Sequence, residues 1–353
     1  MAPAPIVTLG MAVYNGEATI AESMRSVLQE SFPALELLLV DDGSTDGSLD
    51  VIQTFADPRI RLLRNDGNKG LVATRNRIVH EARGRYIAWL DQDDLSEPNR
   101  LATQVAFLDS HPEVVICGGQ TAMLVEQGPG QFARRVERFP TSTQQVRASL
   151  LFLNPLACNT VMMRRAPFAD SPPFRPEFGN SLDYDLWSRA SDTMPVLNLP
   201  VVLGSYRVHA GQTSQGAALE RMNRHALQVQ TELAERALGM AWTDEQQAIH
   251  AQATIAPVVI ENAAQVTAVA AWFRQLRTAN ASAAQRGLPG FDGPAFDEAI
   301  ARQWTTVCLA AQRALGSTSA GRLAITGARQ MGLPPARVLA SMRAGFARRM
   351  SRR

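Results

Sequence analysis

Lysine is nearly missing from this 353-residue chain: Lys69 stands alone, and arginine supplies the rest of the 35 basic side chains. The two residues are not interchangeable, so a solitary lysine is a candidate compact charge for a phosphate, with a stray surface lysine as the plain alternative. Cysteine is scarce too. Cys117, Cys158 and Cys308 are far apart and odd in number, which argues against a disulfide framework or a zinc site and for a reducing compartment. The net charge of +2 is too small to argue for nucleic acid as a partner. No apolar run approaches the roughly 20 residues of a membrane span, and the longest weakly polar stretch, Ala263–Phe273, reads as a core helix. The start of the chain lacks a basic region followed by an apolar core, so no signal peptide is expected. Neither a Gly-x-x-x-x-Gly-Lys-Ser/Thr loop nor a Gly-x-Gly-x-x-Gly fingerprint occurs, and there is no Gly-x-Ser-x-Gly elbow, which removes support for a P-loop, a dinucleotide fold and a serine hydrolase. The five histidines form no metal-binding pair at helical spacing. These absences place the chain in the cytoplasm. Six arginines and no acid in 337–353 add a second option, peripheral contact with the inner face of a membrane, ranked below a solvated basic tail.

What is present is a regular alternation. Ile6–Val13, Leu35–Val40, Ile60–Leu63 and Tyr86–Leu90 read as strands. Glu17–Gln29, Ser48–Phe55, Gly70–Ala82 and Pro98–Asp109 read as helices, with apolar residues such as Ile20, Met24, Val27 and Leu28 on one face. Short connections between alternating elements predict a mostly parallel sheet flanked by helices, an α/β fold. Val114–Cys117, Thr160–Met163 and Val196–Tyr206 are further expected strands, Gly128–Gly130 a turn, and Leu182–Ala190 a helix. Pro167–Gly179, with four prolines and three phenylalanines, reads as a substrate-shaping loop. From about residue 216 the composition turns to Ala, Gln, Arg and Glu with helical spacing. Two domains are expected, a catalytic one over 1–215 and a mainly helical C-terminal region over 216–353, with a long helix at Val259–Leu276 and a break at Gly287–Gly293.

Three acidic sites follow separate elements. Asp41 and Asp42 close the second strand, ahead of Gly43, which allows a sharp turn beside a ligand. Helix capping accounts for Asp46 or Ser48 there but not for the adjacent pair. Asp91, Asp93 and Asp94 gather where the strand Tyr86–Leu90 ends. In an open α/β sheet, ligands bind at the carboxyl ends of strands. Clustered carboxylates there repel unless a positive group lies between them. Residues two apart on an extended chain point the same way, so Asp91 and Asp93 are suited to share a magnesium or manganese ion with a phosphate. A solvated acidic loop is the competing reading of this motif alone. Asp183, at the start of a helix after the proline-rich loop, is a candidate general base; for Asp183 and Asp185 the competing reading is a favourable position at a helix N-terminus.

In combination these blocks resemble the family 2 glycosyltransferases of GT-A fold. The resemblance covers about the first 210 residues. It rests on Val7–Gly16 with Tyr14-Asn15-Gly16-Glu17, on Leu38-Leu39-Val40-Asp41-Asp42-Gly43-Ser44-Thr45-Asp46, and on Asn68-Lys69-Gly70-Leu71 with Ala73-Thr74-Arg75-Asn76. It continues through Tyr86–Asp94, Asp183-Tyr184-Asp185-Leu186-Trp187 and Tyr206-Arg207-Val208-His209. Six blocks in order are far more specific than any one. The resemblance implies that Tyr14 packs on or beside a nucleotide base, Asp42 hydrogen-bonds it, and Asp41 supports that loop. It places Arg75 near the base or phosphates, with Ala12, Lys69 and Gln92 in the same donor-contacting set. Asp91 then contacts ribose or a metal-bound water, Asp93 binds the metal, His209 assists the diphosphate or metal, and Asp183 is the base. The family's acceptor block usually has two acids, but here Leu182 precedes Asp183.

The expectation is an inverting, Mn2+- or Mg2+-dependent transfer of a sugar from a nucleoside diphosphate sugar to a glycan or glycolipid hydroxyl. UDP and dTDP donors both fit, and cell-surface polysaccharide synthesis is the expected setting. The runner-up among enzymes is a nucleotidyltransferase of similar fold, against which Val7–Glu17 lacks a basic glycine-rich loop. The alternative from another class is a non-catalytic sugar-nucleotide or glycan-binding protein, against which Asp183 and the Asp91/Asp93 pair argue. For the helical region three roles stay open: homodimer contact, shaping of the acceptor cleft, and lying on a membrane.

Overall fold

Seven residues of strand β1, Val7–Val13, run through the middle of the sheet in this computed structural model, buried at all but one position. The structure describes residues 4–128, 131–208 and 216–336. β2 (Leu35–Asp41) lies parallel to β1, and β3 (Ile60–Arg64) parallel to β2. β4 (Tyr86–Trp89) is parallel to β1 on its other side. β2 is apolar almost throughout and buried along its length, as a strand covered on both faces must be. The covering helices are α1 (Ile20–Leu28), α2 (Ser48–Gln53) and α3 (Leu71–Glu81). α1 buries Ile20, Met24 and Val27 on one stripe against β-strand side chains such as Leu9, Met11 and Leu37.

The rest of the sheet changes direction. The strand order is β3-β2-β1-β4-β8-β6-β9-β5, with β5 at Leu95–Ser96, β6 at Ile116–Gly128, β8 at Met162–Arg164 and β9 at Val196–Val208. β8 is antiparallel to β4 and β6, and β9 is parallel to β6. β7 (Gln131–Glu137) forms a hairpin with β6. The alternation in the first hundred residues marks the parallel part. Of the antiparallel part, β7 and the outer half of β6 are less visible because their exposed side chains mix polar residues with Val125, Phe132 and Ala133 and mark no face. Their pairing comes from backbone hydrogen bonds rather than from an apolar face. Between β5 and β6 runs α4 (Arg100–Ser110). The expected acid-bearing helix is α6 (Leu182–Ala190), after a short α5 (Thr143–Ser149).

The chain forms two compact units, one of residues up to Thr143 with Pro155–Met222, the other of Gln144–Asn154 with the chain from Asn223 onward. The second unit is helical. It takes most of α7 (Gly216–Leu238), then α8 (Asp244–Thr254), α9 (Ala263–Ala283) and the two helical stretches of α10 (Gly293–Gln330), which meet at Gly316. Phe152, Trp242, His250, Trp272, Phe273 and Phe296 pack in its core. Among the described residues no helix is long and apolar enough to cross a membrane. The basic stretch 337–353 lies outside the described residues.

Candidate active site

β1 is followed in the chain by β2 on one side, while β4 lies on the other. This reversal opens a crevice above the carboxyl ends of β1 and β4, the usual ligand position in such sheets. A cavity of about 400 Å³ occupies it, within the range of small-molecule sites. Ala12 and Tyr14 wall it from β1, Asp42 from the end of β2, and Asp91, Gln92 and Asp93 from the end of β4. Arg75 enters from α3 and Asp183 from α6. Six sequence blocks spread over 200 residues thus supply one cavity.

The β2 turn divides its two acids. Asp41 is fully buried; its carboxylate accepts from the amides of Gly43 and Ser44 at 3.2 Å each, and Arg64 pairs with it at 3.2 Å. Gly43 has φ of 80°, and a Cβ there would meet the Gly67 backbone at 2.8 Å, so this close crossing of two loops requires glycine. Asp42 Oδ1 accepts from Asn65 Nδ2 at 2.6 Å and from the Lys69 amide at 2.8 Å, and Oδ2 accepts from the Gly70 amide at 2.8 Å. Asp42 thereby fixes the loop whose Asn68, Gly70 and Leu71 line the cavity. Lys69 contributes its backbone here. Its side chain is exposed and is not among the cavity-lining residues.

At the mouth, Tyr14 is 45% exposed, an aromatic face left open on the cavity wall. Its backbone is gripped at both ends by one side chain: the Tyr14 amide donates to Gln92 Oε1 at 3.0 Å, and Gln92 Nε2 donates to the Tyr14 carbonyl at 2.9 Å. The next residue but one, Gly16, leaves room for that amide; a Cβ would sit 2.4 Å from Gln92 Oε1.

Asp91 is paired with Arg75 at 2.7 Å. Arg75 is buried and its Nη1 also reaches Cys158 Sγ at 3.2 Å. Burial opposes the guanidinium's charge, yet Cys158, Asp91 and Asp183 together raise its pKa. The Cys158 thiol is itself pushed up by burial and is neutral near pH 7, so the two carboxylates carry the effect. Asp94 points inward, 1% exposed, with Oδ1 accepting from the Arg207 amide at 3.1 Å. Burial first, then the charges of Asp91 and Asp93, push its carboxyl well above the usual carboxylate range.

The two acids of α6 also separate. Asp183 lines the cavity from the first turn of the helix, with Oδ1 accepting from the Tyr184 amide at 2.8 Å. Asp185 faces the protein, 1% exposed, held by Arg175 and by Arg189 at 2.8 Å. The proline-rich loop ahead of α6 is anchored rather than free. Phe174 and Phe178 are buried, and Asn76 exchanges two hydrogen bonds with the Phe174 backbone, at 2.8 and 3.0 Å. Side chains given no role in the sequence reading complete the wall: Thr74, Leu182 and Tyr206, in or beside recognised blocks, and Cys158, Asn180 and Met222 from outside them. Met222, on α7, lies in no recognisable block, and packing alone brings it there.

Among the described residues no three His, Cys, Asp or Glu side chains converge as a metal site. Asp91 and Asp93 share the cavity wall. Two carboxylates fit a hard cation whose remaining oxygens come from a diphosphate and water. His209 lies outside the described residues.

Residues 8–170 match the sequence model of Glycosyl transferase family 2. An Escherichia coli protein named UDP-Glc:alpha-D-GlcNAc-diphosphoundecaprenol beta-1,3-glucosyltransferase WfgD is 29% identical over 212 residues, 59% of this chain and 79% of its own length. Two further curated relatives are matched over 68% and 66% of their lengths. By structure, S. aureus TarS 1–349, solved in complex with UDP-GlcNAc, superposes with a TM-score of 0.53 at 18% identity, over 96% of this chain and 92% of that one. The mannosyltransferase PcManGT from Pyrobaculum calidifontis, solved with GDP-Man and Mn2+, gives 0.52 at 20% identity, over 97% and 85%. At these identities the two structures bear on the fold, which is of the GT-A type.

Proposed function

We infer, for a chain that belongs to the family 2 glycosyltransferases, an inverting transfer of one sugar from a nucleoside diphosphate sugar to a hydroxyl of a glycan or glycolipid. The observation that carries this is the single cavity in which the β2 and β4 strand-end acids face Asp183 on α6. The open ring of Tyr14 offers a surface for the base, and the loop held by Asp42 offers its polar edge. A pyrimidine donor, UDP or dTDP, suits that end, and the relative named for UDP-Glc supports it.

Asp183 takes the proton from the acceptor hydroxyl as its oxygen attacks the anomeric carbon from the face opposite the diphosphate. The bond from that carbon to the diphosphate oxygen breaks, and its electron pair leaves with the nucleoside diphosphate. Asp93 and Asp91 would hold a divalent cation, Mn2+ or Mg2+ suiting their oxygen ligands, and it would supply charge neutralisation at the diphosphate. Arg75, paired with Asp91 and attracted by Asp183, places one positive charge near both the donor and acceptor ends of the cavity. The undecaprenol-linked acceptor in WfgD's name supports a lipid-linked or polysaccharide acceptor, reached from the cytoplasmic side of a membrane.

The test is release of nucleoside diphosphate from a panel of sugar nucleotides, with and without Mn2+, combined with thermal shift. Asp93→Ala and Asp183→Asn should each nearly abolish transfer, while Asp183→Asn keeps donor affinity. Donor binding with no turnover under any condition would turn the reading to a sugar-nucleotide-binding protein. Near-wild-type turnover in either variant would remove that residue's assigned role.

A further inference from the structure

Arg207 sits at the end of β9 and is not among the cavity-lining residues. Its side chain nevertheless reaches the acidic turn. Nε donates to the Asp93 carbonyl at 2.5 Å, Nη2 reaches Ser23 Oγ at 3.3 Å, and Nη1 pairs with Glu22. Its backbone amide donates to Asp94 Oδ1 at 3.1 Å. Ser23, on α1, donates its hydroxyl to the neighbouring carbonyl, that of Gln92, at 2.8 Å. Two consecutive peptide oxygens of the turn are therefore held from outside the cavity, one by a guanidinium and one by a hydroxyl. On the opposite side Arg75 holds Asp91. The side chains of both arginines are largely buried, 6% and 11% exposed.

We propose that Arg207 and Ser23 form a clamp that sets the direction of the Asp93 carboxylate, making Arg207 a positioning residue for the cation and diphosphate. The inference rests on the metal reading given above. The reason is geometric and electrostatic. The peptide plane after Asp93 fixes where its side chain points, and a charge-assisted hydrogen bond to the carbonyl fixes that plane. The same guanidinium offsets the mutual repulsion of three carboxylates in four residues, so the turn keeps its shape before a cation arrives. A second layer of this kind usually changes metal affinity by roughly 10–100-fold when it is lost.

Arg207→Lys separates the two effects, since it keeps the charge and loses the planar fork. Ser23→Ala removes the other half of the clamp without touching charge. Free Mn2+ is measured by electron paramagnetic resonance as the full-length protein is titrated with Mn2+ at saturating UDP. UDP affinity without metal and the melting temperature are measured alongside. The expected result is Mn2+ affinity lowered about tenfold in Arg207→Lys and several-fold in Ser23→Ala, with metal-free UDP affinity within twofold of wild type. A purely structural role would lower the melting temperature and leave Mn2+ affinity in the folded protein unchanged, and that outcome overturns the proposal. If Arg207→Lys does not fold, Ser23→Ala decides by the same criterion. Wild-type protein that takes up no Mn2+ in the presence of UDP would overturn the metal reading itself, and the clamp's role toward the cation with it.

Discussion

Asp183 and Asp185 are two residues apart in one helix turn, and their expected losses are opposite in kind. Asp185 is buried and accepts from Nε and Nη2 of both Arg175 and Arg189. Asp185→Asn removes the negative charge and leaves two guanidinium groups facing a neutral amide. Breaking a buried pair this way costs about 3–5 kcal/mol. The arginine side chains are 31% and 32% exposed and can regain water, which places the loss near the lower end, about 3 kcal/mol. For a unit of this size each kcal/mol shifts the melting temperature by roughly 2–4 °C, so a drop of about 6–12 °C is expected. Asp183→Asn removes one of the two carboxylates near the buried Arg75 but leaves its 2.7 Å pair with Asp91 intact, so it should melt well above Asp185→Asn and should lose nearly all turnover. Differential scanning calorimetry and a donor-turnover assay on the same samples check both. If Asp183→Asn melts as low as Asp185→Asn, or Asp185→Asn melts like wild type, the division between a chemical and a structural acid is refuted.

Three other outcomes are expected. In the helical unit, His250 Nδ1 accepts from Trp272 Nε1 at 3.0 Å and Nε2 lies 3.0 Å from the Leu151 carbonyl, so the ring is neutral with its proton on Nε2; burial lowers its pKa to about 3. The unfolded chain then binds the extra proton between about pH 6.5 and 3, so stability falls as the pH drops through that window, by roughly 2–3 kcal/mol at pH 4.5; urea melts at pH 7 and 4.5 should show this loss in wild type and not in His250→Gln. Gly16→Ala should displace Gln92 and cost one or both hydrogen bonds to Tyr14, about 1–2 kcal/mol, read as roughly a 5–30-fold rise in donor Kd by calorimetry, and an unchanged Kd would refute the Gln92 brace. Cys117 and Cys308 are buried, with thiols pushed up to about 12, so a disulfide reagent at pH 7.5 should label these two far more slowly in the native protein than in the denatured one, while Cys158 stands half-buried on the cavity wall; rapid native labelling of Cys117 or Cys308 would contradict their burial.

The first hundred residues were legible because a parallel sheet imposes its own pattern: β2 is apolar along nearly its whole length, and α1 keeps Ile20, Met24 and Val27 in register. β7 and the outer part of β6 were hidden because their exposed side chains have no face to mark, as the run Gln131–Glu137 shows. The acids could be located at strand ends, but their division of labour could not. Asp41 and Asp42 look alike in sequence, yet one closes its own turn while the other holds a loop some 25 residues on. Arg207 lay in a recognised block, but a guanidinium bonded to a carbonyl rather than to a carboxylate leaves no charge pattern to read. Cys158 and Met222 reach the cavity through tertiary packing, for which spacing gives no signal.

The preference for arginine has a structural use where the sheet changes from parallel to antiparallel. Strand ends, the end of α4 and the acidic turn gather carbonyls there, several with an acceptor site to spare, and buried ones need partners. Arg100, fully buried, donates Nη2 to the carbonyls of Trp89 and Val161 at 2.9 and 3.2 Å. Arg164 serves Val114 at 2.8 Å and Leu108 at 2.6 Å, and Arg207 serves Asp93. A planar fork with five donors reaches several such oxygens at once. Burial lowers Arg100 to about 10, which still leaves it charged at pH 7. A lysine starts near 10.4 and, shifted by a similar 2–3 units, would titrate at about 8. It would then hold its proton only weakly at neutral pH while offering fewer directed donors. Arg100→Lys should therefore destabilise the catalytic unit most below about pH 8, where the buried lysine must carry its charge, and by less as pH rises above that, because the unfolded lysine then stays protonated while the buried one does not. A stability loss that is flat between pH 6 and 9 would show that geometry alone, and not retention of charge, requires arginine beneath the acidic turn.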